Sequence, residues 1–491
     1  MLSEFVDGKR LAGRLLPSSF FMLSCMILSF IFIDAKPAYT LPLSHPGSVR
    51  AIPAFARKYG LPCSACHTAW PELNWFGQAF RDNGYQLMND RDSPIWQNPS
   101  FFPITFRITP NWHRENTNHQ AVDSIPGDGA GSVLVDGTVR QHGFDLSGFD
   151  LWTAGTLFKN ISFSLLPSAD STGAFHFENA FVRFDNLFNS RWVNLRFGKF
   201  ELDNLISEKR FLFLSANGGI YQLYHFVPVG DSNTFGLGDN QLGLELAGHS
   251  INSYTRYSVA LLSSNDGQVG LPANRGYDTY LTFSQAFQVG SLGLQRFGAY
   301  AYIGERPTFS QTTSGTLIPG TGMGNKSFYR VGFSGDFFFG KFEFLPLYMH
   351  GHDNVFLGTS TPSNQPLPPG ARAPSWNGGF VETHYYYSPQ LVLTQRVEII
   401  RMAQQAFPST PAAAGAPSIP DNQGNIDAYS VGFRWYPIMF SRAGLSWHNE
   451  FSIVKSIGIV PLSGSGNGLP PLSPTAGVWS NSVFTGLDFD F

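Results

Sequence analysis

The chain has 491 residues, a formal net charge of −3 at pH 7, only 14 % charged residues and 15 % aromatic ones. Soluble domains carry about 25 % charge, and the slightly acidic balance argues against a nucleic-acid partner. Beyond residue 33 no apolar run approaches the ~20 residues of a transmembrane helix. The class that remains is a membrane β-barrel, whose strands alternate and so hide their apolarity from window averages.

In chain order, the first segment is a leader. Lys9, Arg10 and Arg14 precede an apolar run from Phe20 to Ile33, and Ala35 and Ala38 offer small residues for cleavage. That layout predicts a secretory signal peptide over 1–38. Cys25 falls inside it, so the exported chain holds two cysteines, Cys63 and Cys66.

Those two stand in Cys63-Ser64-Ala65-Cys66-His67, the C-x-x-C-H signature of c-type haem attachment. Two residues between the thiols let one short turn span two haem vinyl groups. The adjacent His67 is then placed as an axial iron ligand. A disulfide, a redox pair and half a zinc site are the competing uses. No second Cys/His pair has zinc-finger spacing, and no βαβ pattern surrounds the motif. Export agrees with haem c, because its attachment occurs outside the cytoplasm.

Residues 39–100 therefore form a monohaem segment of helical character. Ala69, Leu73, Phe76, Gly77 and Phe80 fall at roughly helical spacing. So short a chain cannot bury a haem with a core of its own, and a barrel wall must supply the cover. Arg57 is a candidate partner for a haem propionate. For the sixth iron position Met88 is the nearest later methionine, 21 residues past His67, with His45, His113 and His119 as alternatives. Methionine would raise the haem potential relative to a second histidine.

From residue 101 to 491 the chain breaks into about 16 strand-like segments: 103–113, 144–158, 160–168, 174–185, 191–199, 240–247, 252–263, 276–287, 292–304, 326–338, 341–352, 376–388, 389–401, 426–437, 441–455 and 479–491. The number is even, as in bacterial outer-membrane barrels. Alternation assigns Tyr429, Val431, Phe433 and Trp435 to lipid, with Ala428, Ser430, Gly432 and Arg434 inward. The next strand sends Leu445, Trp447, Phe451 and Ile453 outward and Ser446, His448, Glu450 and Ser452 inward. Inward Arg434, His448 and Glu450 read as pore-lining residues or, in preference, as structural ion pairs. Short connections alternate with long ones at 114–143, 200–239, 305–325, 353–375, 402–425 and 456–478. This is the asymmetry of periplasmic turns and external loops. It puts both barrel ends, and hence the haem segment, on the periplasmic side. The long segment 200–239 is a candidate to fold inward and narrow the lumen. The closing Phe491 resembles the signal read by the outer-membrane assembly machinery.

Residues 51–85 resemble the fused cytochrome–porin family of outer-membrane proteins typified by bacterial iron oxidisers. The match lies in Pro53, Phe55, Ala56, Arg57 and Gly60 before the motif, and in Pro71, Leu73, Phe76, Gly77, Phe80, Gly84 and Tyr85 after it. The resemblance implies an all-β fold: a 16-stranded transmembrane barrel with one haem c, held by Cys63, Cys66 and His67, in or at the mouth of the pore. It further implies electron transfer across the bacterial outer membrane, from extracellular Fe(II) to a periplasmic cytochrome or copper protein. A ferrous iron oxidoreductase activity fits that role. The alternatives are a conduit for another donor or acceptor, a transport porin with a redox-sensing haem, and a haem enzyme.

Overall fold

A computed structural model describes residues 54–87, 104–124, 133–169, 174–206, 221–226, 228, 237, 240–263, 276–307, 310–311, 317–318, 325–357, 363, 372–404, 421–439, 444–462 and 471–490. The leader 1–38, His45, Met88 and Phe491 lie outside the described residues. Pro46–Phe491 forms one compact unit.

Sixteen antiparallel strands close on themselves as a barrel. They are β1 Thr105–Asp123, β2 Leu134–Phe158, β3 Ile161–Ala169, β4 Phe175–Phe184, β5 Asn194–Glu201, β6 Asn240–His249, β7 Thr255–Ser263 and β8 Tyr277–Val289. There follow β9 Gly293–Pro307, β10 Asn325–Phe339, β11 Phe342–His352, β12 Ser375–Ser388, β13 Leu391–Met402, β14 Ile426–Met439, β15 Gly444–Ile457 and β16 Gly477–Asp490. Each strand pairs with its chain neighbour, and β16 pairs with β1 through Phe484 opposite His113, which closes the ladder. Closure leaves no sheet edge, the condition for strands to cross lipid. Among the described residues no helix is long and apolar enough to cross a membrane.

All sixteen expected strands are present. The main departure is at the long-loop end of the first hairpin. The sequence suggested a loop over 114–143, whereas β1 runs on to Asp123 and β2 starts at Leu134. Polar residues there do not stop the ladder, because backbone pairing is templated by the neighbouring strand. A register shift between Thr117 and Gln120 absorbs the irregularity, with His119 at φ 53°.

The alternation is inside-out relative to a soluble protein. On β14, Trp435 is 43 % exposed while its neighbour Arg434 is 1 % exposed. On β15, Trp447 and Phe451 face outward and Ser446, His448, Glu450 and Ser452 are buried. Phe433 and Trp435 both pack edge-on to Trp447, near the short-turn end of the barrel where an aromatic girdle belongs. Such an apolar outer band is far larger than the patches water tolerates. It calls for lipid.

Part of the lumen is filled. Phe200, Leu202, Tyr221, Leu223, Tyr224 and Phe226 join inward residues such as Trp376, Phe380 and Ile400 in the main apolar cluster. The described part of 200–239 thus folds inward. Gln222 and Leu223 donate their backbone N–H groups to Glu398 at 3.0 and 2.6 Å, so a buried carboxylate on β13 holds the inserted turn.

Candidate haem site

The segment before the barrel consists of α1 Ala54–Tyr59, α2 Cys63–Cys66 and α3 Trp75–Asp82, with a small ribbon of His67–Ala69 against Glu72–Leu73 between the last two. Ala69 and Leu73 therefore lie on the ribbon and not on a helix running from His67, as their spacing suggested. Pro71 and the tight reversal at Trp70-Pro71 break the helical register there. Asn74 organises the rest. Its Oδ1 accepts from the N–H of Phe76 and Gly77 at 3.0 and 2.9 Å, capping α3. Its Nδ2 reaches Ala65 O at 3.1 Å, and its backbone N–H donates to Cys66 O at 3.0 Å. One side chain thus ties the cysteine turn to the helix. Phe55, Phe80 and Tyr85 stack into a small core, with centroids 5.1 and 5.2 Å from Phe55.

Cys63 and Cys66 are not joined by a disulfide. Burial pushes Cys66 up to about 11, with Cys63 adding to the effect, so the thiol is protonated in this pocket. His67 is the informative residue. Its Nδ1 lies 3.1 Å from Pro71 O and 3.2 Å from Glu72 O. Both partners are acceptors, so Nδ1 carries the hydrogen and Nε2 keeps the lone pair. Burial pushes the ring down to about 4, against the two carbonyls that favour protonation. A neutral imidazole with Nδ1–H held by carbonyls is the prepared state of an iron or zinc ligand.

Cys63, Cys66 and His67 line one cavity of about 520 Å³, within the ~300–1,000 Å³ of cofactor sites. One wall is the segment: Phe55, Tyr59, Leu61, Leu73 and Phe80. The other is the barrel interior: Thr105, Trp152, Phe181 and Phe484, with Arg107, Arg183, Arg196 and Arg256 among the polar lining. Two thiols and a lone-pair imidazole facing one cavity with aromatic walls fit a covalent haem; the polar lining mixes guanidiniums with carboxylates, Arg256 being paired with Asp82 and Asp203, Arg196 with Glu245 and Arg107 with Asp488.

The segment is lodged inside the barrel by bonds to strands around its circumference. Arg256 on β7 makes two contacts to Asp82, at 2.8 and 3.1 Å, and one to Asp203 at 2.6 Å. Arg183 on β4 donates to the carbonyls of Arg81 and Asp82, and Tyr436 on β14 donates to Trp70 O at 2.5 Å. Burial alone would raise the Asp82 carboxyl. Arg256, with His249 and Arg81 adding, overrides burial and holds it well below the usual carboxylate range.

Of the other residues singled out in the sequence, the Arg57 side chain and Met88 lie outside the described residues, as does His45. His113 sits on β1 with Nε2 3.8 Å from Glu115. His119 pairs with Asp136 at 2.8 Å. Neither is among the cavity-lining residues. His448, read only as pore-lining, does line the cavity. Its Nδ1 is 3.2 Å from Asp488, its ring stacks on Phe484, and its Nε2 is buried without a hydrogen-bond partner. Arg434 pairs with the same Asp488 at 3.3 Å, as expected for a structural ion pair. Nothing local in the sequence set His448 apart; its significance comes from the β15–β16 register, which brings Asp488 opposite Ser446.

Fold and site together define a closed sixteen-stranded antiparallel barrel of the outer-membrane type, with an N-terminal C-x-x-C-H segment lodged in its lumen. No protein-family model and no curated protein matches the sequence. Solved structures similar to it include an anion-selective porin from Comamonas acidovorans, at 11 % identity and TM-score 0.45, covering 79 % of this chain and 99 % of that one. OmpF of Salmonella typhi gives 9 % identity and TM-score 0.43, covering 79 % and 97 %. A loop-deletion mutant of OmpT from Vibrio cholerae gives 12 % and 0.42, covering 79 % and 100 %. The class assignment stands on the strand pairing and side-chain distribution described above.

Proposed function

We propose that this chain is a c-type cytochrome–porin fusion of the bacterial outer membrane that carries electrons through one haem c, from extracellular Fe(II) to a periplasmic electron carrier. The observation that carries this reading is His67: its tautomer is fixed by two carbonyls while Nε2 is left available, and it lines one cavity with Cys63 and Cys66. Bound there through two thioethers, haem would supply one-electron chemistry.

The chain's own residues do the rest. Cys63 and Cys66 would hold the group, His67 would ligate its iron, and the aromatic side chains of the segment and barrel would cover it. Met88 remains the proposed distal ligand from the sequence, and His448 is the cavity-lining alternative, oriented by Asp488 as metal-bound histidines are by carboxylates. The inserted turn Tyr221–Phe226 and the lodged segment occupy the lumen from its two ends. That filling favours a sheath around a redox centre over an open solute channel. It suits a donor whose oxidised product precipitates and must stay outside.

The test is the purified full-length protein. It should be coloured, with one covalent haem per chain by alkaline pyridine spectroscopy, and Cys63→Ser with Cys66→Ser should be colourless. Stopped-flow mixing of the oxidised protein with Fe(II) should give reduced haem bands. A colourless wild type removes the cytochrome reading. A coloured protein that Fe(II) leaves oxidised at every tolerated pH removes the donor. Met88→Ala or His448→Ala should change the ferric spectrum, whichever residue is the ligand; two unchanged spectra remove both.

A further inference from the structure

On the wall beside the segment, a second cluster of ligating side chains is unused by the site above. Glu72, from the ribbon, is 2 % exposed; Glu343 on β11 and His384 on β12 are 1 % and 0 % exposed. His384 Nδ1 lies 2.7 Å from Glu343 Oε2 and 3.1 Å from Glu72 Oε2. Tyr386 OH points at the same two carboxylates, 2.8 Å from Glu72 and 2.5 Å from Glu343. One atom from each of Glu72, Glu343 and His384 can be chosen so that all lie within 4.8 Å of one another. Asp336 on β10 adds a third carboxylate against Glu343, and its Oδ1 is buried without a hydrogen-bond partner.

Carboxylates outnumber donors in this cluster. Three converge on one N–H and one O–H, and Asp336 and Glu343 lie within hydrogen-bond reach of each other, a contact two carboxylates make only across a shared proton or a cation. Two cationic groups face the cluster: His384 and, on the Asp336 side, Arg296, which also bonds to Ser284 and Ser253 O. Arg396 pairs with Glu382 and Glu398. Buried carboxylates that lack donors are normally paired or bind a cation. The far side of His384 supports the second outcome. Its Nε2 is 2.6 Å from Glu382, and Glu382 also accepts from Tyr221 OH at 2.5 Å. A carboxylate that takes the outer N–H and leaves the inner nitrogen for a cation is the usual outer shell of a metal-bound histidine. The 2.7–3.1 Å spacings match the ~3 Å between adjacent ligands of an ion with bonds of ~2.1 Å.

We propose that Glu72, Glu343 and His384 bind one divalent first-row transition-metal ion, with Asp336 and Tyr386 completing its surroundings and Glu382 orienting the imidazole. Mixed imidazole and carboxylate ligands suit Mn(II), Fe(II) or Zn(II), and no soft ligand is present to favour copper(I). The ion clamps the N-terminal segment to β11 and β12. Glu72 also gives its backbone carbonyl to His67, so the clamp holds the residue that fixes the His67 tautomer. The site does not depend on haem attachment.

The experiment is equilibrium dialysis of purified, chelator-stripped full-length protein against Mn(II) or Zn(II), with bound metal read by mass spectrometry. It is run on the wild type and on the Cys63→Ser, Cys66→Ser double variant. Both should retain about one ion per chain, and Glu343→Gln and His384→Gln should bind at least about tenfold more weakly. Glu115→Gln, a buried lumen carboxylate elsewhere, should leave binding unchanged. Zinc-edge X-ray absorption of the wild type needs no variant. It should show N/O ligands at ~2.0–2.2 Å with imidazole scattering. No retained ion, retention equal to wild type in both ligand variants, or a shell without imidazole overturns the site. A wild type that binds the ion but carries no haem would instead refute the cytochrome reading alone.

Discussion

At residue scale, Gly77 shows how little freedom the cysteine turn has. A Cβ added there would lie 2.1 Å from Cys66 O and 3.0 Å from a Leu73 methyl. The carbonyl is backbone and cannot swing aside, so α3 and α2 would have to separate. Glycine to alanine normally favours a helix by about 1 kcal/mol; here Gly77→Ala should lower both the thermal midpoint and the haem per chain. A gain in either would show that the close packing is not maintained. Asp82 offers a second test. Its carboxyl is held below the ordinary range in the folded chain, so its contribution is present above its unfolded value of ~3.9 and is lost as pH falls through the folded value. Segment docking should therefore be level from neutral pH down to about 4 and weaken only in stronger acid. Asp82→Asn leaves Arg256 with Asp203 as its partner and should cost up to about 3 kcal/mol of docking at neutral pH. Limited proteolysis of the segment across pH reads this out; equal protection of variant and wild type at pH 7 would remove the anchor.

At the scale of elements, the inserted turn Tyr221–Phe226 is the structure's clearest statement about permeation. Tyr221 stacks on Tyr224 and meets Phe380 at a tilt, with centroids 5.2 Å apart in each pair, the Arg396 guanidinium lies 3.7 Å from the Tyr221 ring centroid, and Glu398 takes two backbone N–H groups. A turn fixed by a buried carboxylate and aromatic stacking is a structural fill and not a flexible lid. Replacing 221–226 by a glycine–serine linker should raise single-channel conductance in planar bilayers several-fold above a low wild-type level. A high wild-type conductance that the replacement leaves unchanged would favour the solute-porin reading.

At the scale of the whole molecule, lipid is the solvent that makes the side-chain distribution consistent. Tryptophan, phenylalanine and leucine face outward along the strands, while arginine, glutamate and histidine fill the interior as paired networks such as Arg330 with Asp353 at 2.5 Å. In water this arrangement would expose the apolar band and bury charge for no return. The protein should stay in the outer-membrane fraction after carbonate or urea washing and leave it only with detergent. Recovery in the soluble fraction would contradict the barrel's inside-out pattern.

The sequence alone determined the features that repeat or that chemistry makes rare. About sixteen strands, and the inward and outward faces of β14 and β15, follow from a period of two, because lipid on one side and polar lumen on the other penalise any slip of register. The grouping of two thiols with an adjacent imidazole follows from the spacing Cys63, Cys66, His67. The tertiary structure decided what depends on residues far apart in the chain. The sequence left open whether 200–239 folds inward; in its described part the turn Tyr221–Phe226 does, held by Glu398, 175 positions beyond Leu223. His448 carries no local sign of its place in the cavity. The meeting of Glu72 with His384, 312 positions away, could not be read from either neighbourhood. Closure of the barrel fixes where the lumen's side chains converge, and convergence across a closed ladder is a property of the three-dimensional register.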